Sequence, residues 1–142
     1  MKNAAEILLV DDNPADTDLI RDVLERSQRP LHVNTAADGE EAMSFLQRRG
    51  KFAGANSPDL VVLDLNLPRK DGRAVLAEVR ADAALRKLPI VVFTTSQAPH
   101  DIVCSYELGA NCYVSKPGSL PDFVAAVKSI AEFWLGSASL PH

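Results

Sequence analysis

The sequence predicts an α/β fold: one five-stranded parallel sheet, doubly wound, with helices on both faces. Five short apolar runs alternate along the 142 residues with segments whose apolar side chains recur at helical spacing. The central run, LVVLDLNLP at residues 60–68, is apolar up to Asp64, as expected for a strand buried on both faces. Polar residues follow four of the five runs, at the sheet edge where such folds bind ligands.

Each strand is predicted from an apolar run and each helix from its periodicity and its caps. The predicted strands are residues 7–10, 31–36, 60–63, 89–93 and 112–114. Helices are predicted from residue 14 to about 27, around 42–46 with an end near 50, from 72 onward, over 99–108 and over 120–130. Residues 51–58 have loop composition, and Asp71-Gly72 is interpreted as a turn.

Strand order 2-1-3-4-5 is the usual, flavodoxin-like solution for five such units. It places the first strand beside the third, so Asp11 and Asp12 are expected to face Asp64 across one crevice. The ends of the fourth and fifth strands bring Thr94 and Lys116 to the same edge.

Composition bounds the class of protein. Hydrophobic residues make up 46% and charged residues 24%, with a net charge of −4, which is typical of a globular domain without a nucleic-acid-binding patch. No run is long enough to cross a bilayer and no signal peptide is evident, so a cytoplasmic location without membrane contact is expected. We expect a single domain over residues 1–142, with a core of about 6–133, a short tail of 134–142 and no output domain.

Cysteine chemistry is not indicated. Cys104 and Cys112 form no CxxC pair and are interpreted as reduced core thiols, and the three histidines lack ligand spacing.

The polar strand ends suggest phosphoryl chemistry. Crowded carboxylates repel, and a divalent cation such as Mg²⁺, held by Asp12 and Asp64, would relieve this repulsion. The backbone carbonyl of Asn66 is placed to complete the metal shell. A carboxylate can accept a phosphoryl group as an aspartyl phosphate, while Lys116 supplies a positive charge and Thr94 a hydroxyl donor to its oxygens.

These residues resemble the receiver domain of two-component response regulators. The matching motifs, in order, are Asp11-Asp12, DLNLPRKDG around Asp64, PIVVFTTS around Thr94 and Lys116-Pro117, and the resemblance covers about residues 6–133. It implies that Asp64 is the phosphoacceptor, with Thr94 and Lys116 sensing the phosphoryl group.

The same resemblance implies further roles around the acceptor. Mg²⁺ would be bound by Asp12, Asp64 and the Asn66 carbonyl, with Asp11 assisting through water. Tyr113 would be the aromatic switch. The Lys116–Pro117 bond would be cis, a form that proline allows.

A narrower resemblance is to single-domain regulators that partner phytochromes. It is carried by the loop at 51–58, the phrase DLNLP-x-KDGR, SYEL with NCY, and an aromatic tail. It implies a sensor histidine kinase of the phytochrome type as the partner.

The tail contains three consecutive apolar residues, Phe133, Trp134 and Leu135, which one helix face cannot bury together. Either the helix end folds back on its own core, or these residues make an intermolecular contact. With the family resemblance, the second interpretation suggests a homodimer through the fourth helix, fifth strand and fifth helix, to which Tyr106 would contribute.

Simpler interpretations stay open for single residues. Lys116 alone could be a solvated lysine, and Tyr113 could be an ordinary half-buried aromatic. Thr94 could satisfy a backbone carbonyl. Because Thr95 is adjacent, the choice of Thr94 as the threonine that faces the site rests on its spacing from Lys116.

The favoured function is a phosphorylation-dependent switch that phosphorylates and dephosphorylates itself, not a turnover enzyme. One alternative is a phosphorelay intermediate for another histidine kinase. A phosphatase with an aspartyl nucleophile usually has a second acid two residues later, where this chain has Asn66. An interaction module that has lost phosphorylation would not need the acid, hydroxyl and lysine set.

Overall fold

The computed structural model describes residues 4–141 and contains one five-stranded parallel sheet in the order β2-β1-β3-β4-β5, which confirms the predicted fold. The strands are β1 Ala5–Val10, β2 Leu31–Ala36, β3 Leu60–Leu63, β4 Ile90–Thr94 and β5 Cys112–Ser115. The helices are α1 Pro14–Glu25, α2 Gly39–Leu46, α3 Gly72–Ala81, α4 Pro99–Glu107 and α5 Leu120–Ala131.

The sheet is buried between two layers of helices. Alternate strand residues pack on opposite faces, so Leu8 and Val10 join a core beneath α2 and α3, whereas Ile7 and Leu9 join a core beneath α1 and α5. All four residues of β3 are buried, as the apolar run predicted. The parallel register leaves the ends of β1, β3, β4 and β5 at one edge.

The second helix is shorter than the periodicity indicated. It ends at Leu46 rather than near residue 50, because Arg48 adopts a left-handed backbone conformation with φ of 54°. A 3₁₀ turn, Gly50–Phe52, then leads into the loop before β3. The ring of Phe52 contacts Phe45 at a centroid distance of 5.2 Å, which secures this loop to α2.

The tail after α5 divides between the two interpretations offered above. A π-helical turn, Glu132–Ser137, continues the helix and packs Trp134 and Leu135 against the core beneath α1 and α5. Phe133 remains 55% exposed and touches the Trp134 ring edge-on. The fold-back therefore accounts for two of the three apolar residues, which are half-buried, whereas Phe133 is mostly exposed.

The expected cis bond between Lys116 and Pro117 is wrong: the chain has no cis peptide bond within residues 4–141. The trans form is favoured even before proline unless the surroundings select the other isomer. The Lys116 backbone N–H donates to the Thr94 carbonyl at 2.6 Å.

Over the same residues, no helix is both long and apolar enough to cross a membrane.

Gly72 brings the start of α3 close to the end of β3. Its N–H donates to the Leu65 carbonyl at 2.9 Å, and a β-carbon added at Gly72 would lie 2.4 Å from the Asp64 carbonyl oxygen. This is backbone, so it cannot move aside as a flexible side chain would.

We expect Gly72→Ala to lower the free energy of unfolding by about 1–3 kcal/mol, the usual cost of an overpacked site. Urea unfolding followed by circular dichroism measures it. Gly54→Ala is the matched control, because nothing lies within 4 Å of its added β-carbon. Equal stability of the two variants would contradict the close approach.

Candidate functional site

The edge formed by the ends of β1, β3 and β5 holds a buried lysine surrounded by carboxylates. Lys116 Nζ donates hydrogen bonds to Asp11 Oδ2 at 2.7 Å, to Asp16 Oδ2 at 2.8 Å and to Asp64 Oδ2 at 2.9 Å. Asp11 follows β1, Asp64 follows β3 and Lys116 follows β5, so the parallel register creates this cluster. The expected convergence of Asp11, Asp64 and Lys116 is therefore present.

The charges in this cluster depend on one another. Burial by itself would lower the pKa of Lys116, but hydrogen bonds from its ammonium to Asp11, Asp16 and Asp64 outweigh burial and raise the pKa above its ordinary value. Burial raises the pKa of Asp11, although the ammonium and the Asn13 N–H partly oppose this. The three carboxylates thus hold Lys116 in its charged form.

A divalent cation fits the donor set at this edge. One lysine beside three carboxylates leaves an excess of negative charge on oxygen ligands, which hard cations prefer. Asp12 and Asn66 are both exposed beside the cluster. Within residues 4–141, no group of three or more His, Cys, Asp or Glu side chains is arranged to hold a metal by itself. Mg²⁺ commonly uses one or two carboxylates and retains several waters.

Thr94, at the end of β4, has a buried hydroxyl that finds no hydrogen-bond partner among the described residues. Thr95 is exposed, so the inward-facing threonine is Thr94, as its spacing from Lys116 indicated. A buried hydroxyl without a partner is costly and is a common mark of a ligand site. Thr94 is thus available to donate to an oxygen brought to this edge.

A second hydrogen-bonded network lies beside the cluster, around Ser96 in the loop after β4. The Ser96 carbonyl accepts from Tyr113 Oη at 2.9 Å and from Ser115 Oγ at 3.2 Å. Ser96 Oγ donates to Asp101 Oδ2 at 2.6 Å, at the start of α4. The loop after β4 is therefore held by β5 on one side and by α4 on the other.

Arg73 extends this network to α3. Its Nη2 donates to Asp101 Oδ1 at 2.6 Å and its Nη1 contacts both carboxylate oxygens of Asp71. Hydrogen bonds from Ser96 and then from Arg73 lower the pKa of Asp101. Asp71 also caps α3, which begins against the Asp64 backbone, so the network ends beside the buried cluster.

Three of these residues escaped the sequence analysis. Asp16 and Asp101 both lie in the first turn of a helix, where an acid is ordinary because it complements the helix dipole. Arg73 belongs to the KDGR phrase that carries the family resemblance, but that phrase by itself assigns the arginine no role.

Tyr106, proposed as an interface residue, is half exposed on α4, and its hydroxyl accepts a hydrogen bond from the Tyr113 N–H at 3.1 Å.

Comparison with known proteins shows which family the chain resembles. The family model for the response regulator receiver domain matches residues 7–128. Response regulator Rcp1 of Synechocystis sp. is 44% identical over 135 residues, which cover 95% of this chain and 92% of that protein. The crystal structure of phosphorylated RcpA, a cyanobacterial phytochrome response regulator, matches with a TM-score of 0.95 and 48% identity, covering 98% of this chain and 99% of that one.

A structure of Rcp1 in its Mn²⁺-bound form matches with a TM-score of 0.94 and 43% identity over 97% of this chain and 99% of that one. With a family model that spans most of the chain and with relatives of nearly full coverage, the protein belongs to the response regulator receiver domain family.

Proposed function

We propose that this receiver domain accepts a phosphoryl group on Asp64 from a sensor histidine kinase and thereby switches its protein contacts. The observation that carries the proposal is the buried pair of Lys116 Nζ and Asp64 Oδ2, 2.9 Å apart at the ligand-binding edge of the sheet. A nucleophile needs a nearby cation that can follow the charge as it moves onto the phosphoryl oxygens.

The transfer forms one bond and breaks one. An Asp64 carboxylate oxygen attacks phosphorus, and the phosphorus–nitrogen bond to the kinase histidine breaks. The leaving imidazole keeps the electron pair and takes up a proton. Lys116 then donates to one phosphoryl oxygen, and the unsatisfied hydroxyl of Thr94 donates to another.

We propose Mg²⁺ as the physiological cation, with Asp12, Asp64 and the Asn66 carbonyl as ligands and Asp11 assisting through water. The excess of carboxylates around Lys116 supports a divalent ion, and a relative binds Mn²⁺. When bound, the ion would neutralise charge on the transferred group.

The second network supplies a route from the site to the surface. Drawing the Thr94 hydroxyl toward a phosphoryl group would move the loop that carries Ser96, two residues later. Because the Ser96 carbonyl holds Tyr113 Oη, this movement would release or reorient the Tyr113 ring. Tyr113 is therefore proposed as the switch residue.

The chain would undergo one phosphorylation per cycle and lose the group to water, without turning over a small substrate. The residue two positions after Asp64 is Asn66, an exposed amide that cannot act as the second acid of a phosphatase.

A phytochrome-type histidine kinase is the partner we propose. RcpA is a phytochrome response regulator, and the match to it covers 98% of this chain at 48% identity. We also propose that the protein works in the cytoplasm; its two cysteines, Cys104 and Cys112, are both free, as in a reducing compartment.

A homodimer through α4, β5 and α5 would give the switch an output surface. The large apolar side chains exposed within residues 4–141 are Val103, Tyr106, Leu120 and Phe133. All four belong to α4, α5 or the turn that follows α5. An apolar patch confined to these elements favours association there. Trp134 and Leu135, being packed on the core, would support Phe133 rather than contact the partner chain.

Incubation with radiolabelled acetyl phosphate and Mg²⁺ is expected to label the wild-type protein, with the label lost in hydroxylamine and absent when EDTA replaces Mg²⁺. Asp64→Asn should reduce labelling to background, since an amide does not form an acyl phosphate. Label retained by Asp64→Asn would exclude Asp64 as the sole acceptor.

The same assay identifies the partner when the host's purified histidine kinases replace acetyl phosphate, with and without light. Rapid, light-dependent transfer from a phytochrome kinase is expected. Equal transfer from unrelated kinases would contradict the proposed pairing.

Asp101→Ala is expected to release the loop around Ser96, because Ser96 Oγ and Arg73 lose a shared acceptor. Amide hydrogen exchange of residues 95–98 should then become faster by roughly fivefold or more. Asp122→Ala is the matched control. Asp122 is also the third residue of a helix, but its side chain belongs to no such network among the described residues. Equal exchange in both variants would show that Asp101 does not restrain the loop.

Sedimentation equilibrium tests the dimer. The phosphorylated wild type is expected to have twice the mass of one chain, and Val103→Glu should return it to a monomer by placing a charge in the apolar patch. Ala83→Glu is the control, because it adds the same charge to an exposed position beyond α3. Dimers that persist in Val103→Glu would place the interface elsewhere.

A further inference from the structure

The ammonium of Lys116 has no donor left over. It carries three N–H groups, and each one faces a carboxylate oxygen at 2.7–2.9 Å, from Asp11, Asp16 and Asp64. The Lys116 side chain is only 3% exposed, so water has little access to it. A phosphoryl oxygen can therefore receive a hydrogen bond from Lys116 only if one existing bond is given up.

Asp16 is the partner that differs from the other two. Its side chain is 25% exposed, against 5% for Asp11 and 11% for Asp64. Detaching a buried carboxylate from its cation leaves a charge that water cannot solvate, whereas a partly exposed carboxylate can be hydrated instead. Phosphorylation moves the charge of Asp64 onto the phosphoryl oxygens, so only Asp11 and Asp16 remain as carboxylate partners of Lys116. Of these two bonds, the bond to Asp16 is the less costly to exchange.

The local structure aims Asp16 at this position. Asn13 caps α1 and accepts hydrogen bonds from the backbone N–H groups of Ala15 and Asp16, and Pro14 begins the helix. Asp16 is thus the third helical residue, fixed at the end of β1 where the helix starts. An acid that served only the helix dipole could remain in solvent. Asp16 instead turns to an ammonium that lies 100 residues later in the chain.

We propose that Asp16 is a positioning residue that holds Lys116 in the unphosphorylated state and competes with the phosphoryl group for its ammonium. This inference rests on the proposed phosphorylation of Asp64. Asp16 and a phosphoryl group are both anions beside one cation, so they repel each other while they compete. Asp16 therefore stabilises the unphosphorylated state more than the phosphorylated one.

Removing the charge of Asp16 weakens its hold on the Lys116 ammonium and removes its repulsion of the phosphoryl group, so the phosphorylated state is stabilised relative to the unphosphorylated one. Asn at this position can still accept a hydrogen bond from Lys116, whereas Ala cannot. Asp16→Asn thus isolates the charge, and Asp16→Ala removes both the charge and the contact.

The experiment measures affinity for beryllofluoride, a noncovalent phosphoryl mimic, by isothermal titration calorimetry at saturating Mg²⁺. Asp16→Asn is expected to bind it about twofold to fivefold more tightly than wild type, the upper part of the range for a partly exposed ion pair. Asp16→Ala should bind at least as tightly as Asp16→Asn. The half-life of the aspartyl phosphate should lengthen in both variants, a readout that loss of stability alone would not move in this direction.

Asp122→Asn is the matched control, since Asp122 is also the third residue of a capped helix but is exposed. It should bind beryllofluoride as wild type does. Unchanged or weaker binding by Asp16→Asn, with wild type and control binding normally, would overturn the competition. Failure of the wild type to bind beryllofluoride or to accept label on Asp64 would overturn the proposed function, a result distinct from failure of the role of Asp16 alone.

Discussion

The shared ammonium of Lys116 is the interaction on which the rest of the site depends. Asp11 and Asp64 are buried next to one another, and the Lys116 ammonium between them offsets the repulsion of the two carboxylates. Lys116 is separated from them by 105 and 52 residues in sequence, so the interaction forms only when the whole sheet has assembled. Its geometry is therefore a direct consequence of strand order and register.

Such a cluster is not the most stable way to fill the edge of a sheet. Apolar side chains of similar volume commonly give equal or greater stability than a buried ion pair. The orphaned hydroxyl of Thr94 adds a further cost beside the cluster. These polar groups interrupt the apolar pattern of the surrounding strands at the ligand-binding edge of the sheet. Functional sites are where a sequence is expected to depart from the residues that would be most stable.

The strands, their order and the edge that collects Asp11, Asp64, Thr94 and Lys116 followed from apolar runs and from the geometry of parallel sheets. The third residue of α1, α4 and α5 shows where such inference ends. Asp16, Asp101 and Asp122 occupy the same local position and are indistinguishable by helix chemistry. Only tertiary structure turns the first to Lys116, connects the second to Ser96 and Arg73, and leaves the third in solvent.

The family resemblance did not determine the isomer of the Lys116–Pro117 bond. The periodicity did not determine the end of α2, which depends on the backbone conformation of a single residue, Arg48.

Strand β5 joins the two parts of the site because successive residues face opposite sides of the sheet. Cys112 and Val114 pack beneath α1 and α5, the side on which Lys116 Nζ lies over the Phe93 ring. Tyr113 packs on the other side, and both Tyr113 and Ser115 donate to Ser96. A change in the hydrogen-bond partners of Lys116 would act on the C-terminal end of β5. A movement of the loop after Thr94 would act on the face of β5 that carries Tyr113. Strand β5 thus joins the charged site directly to the tyrosine, without a longer chain of contacts between them.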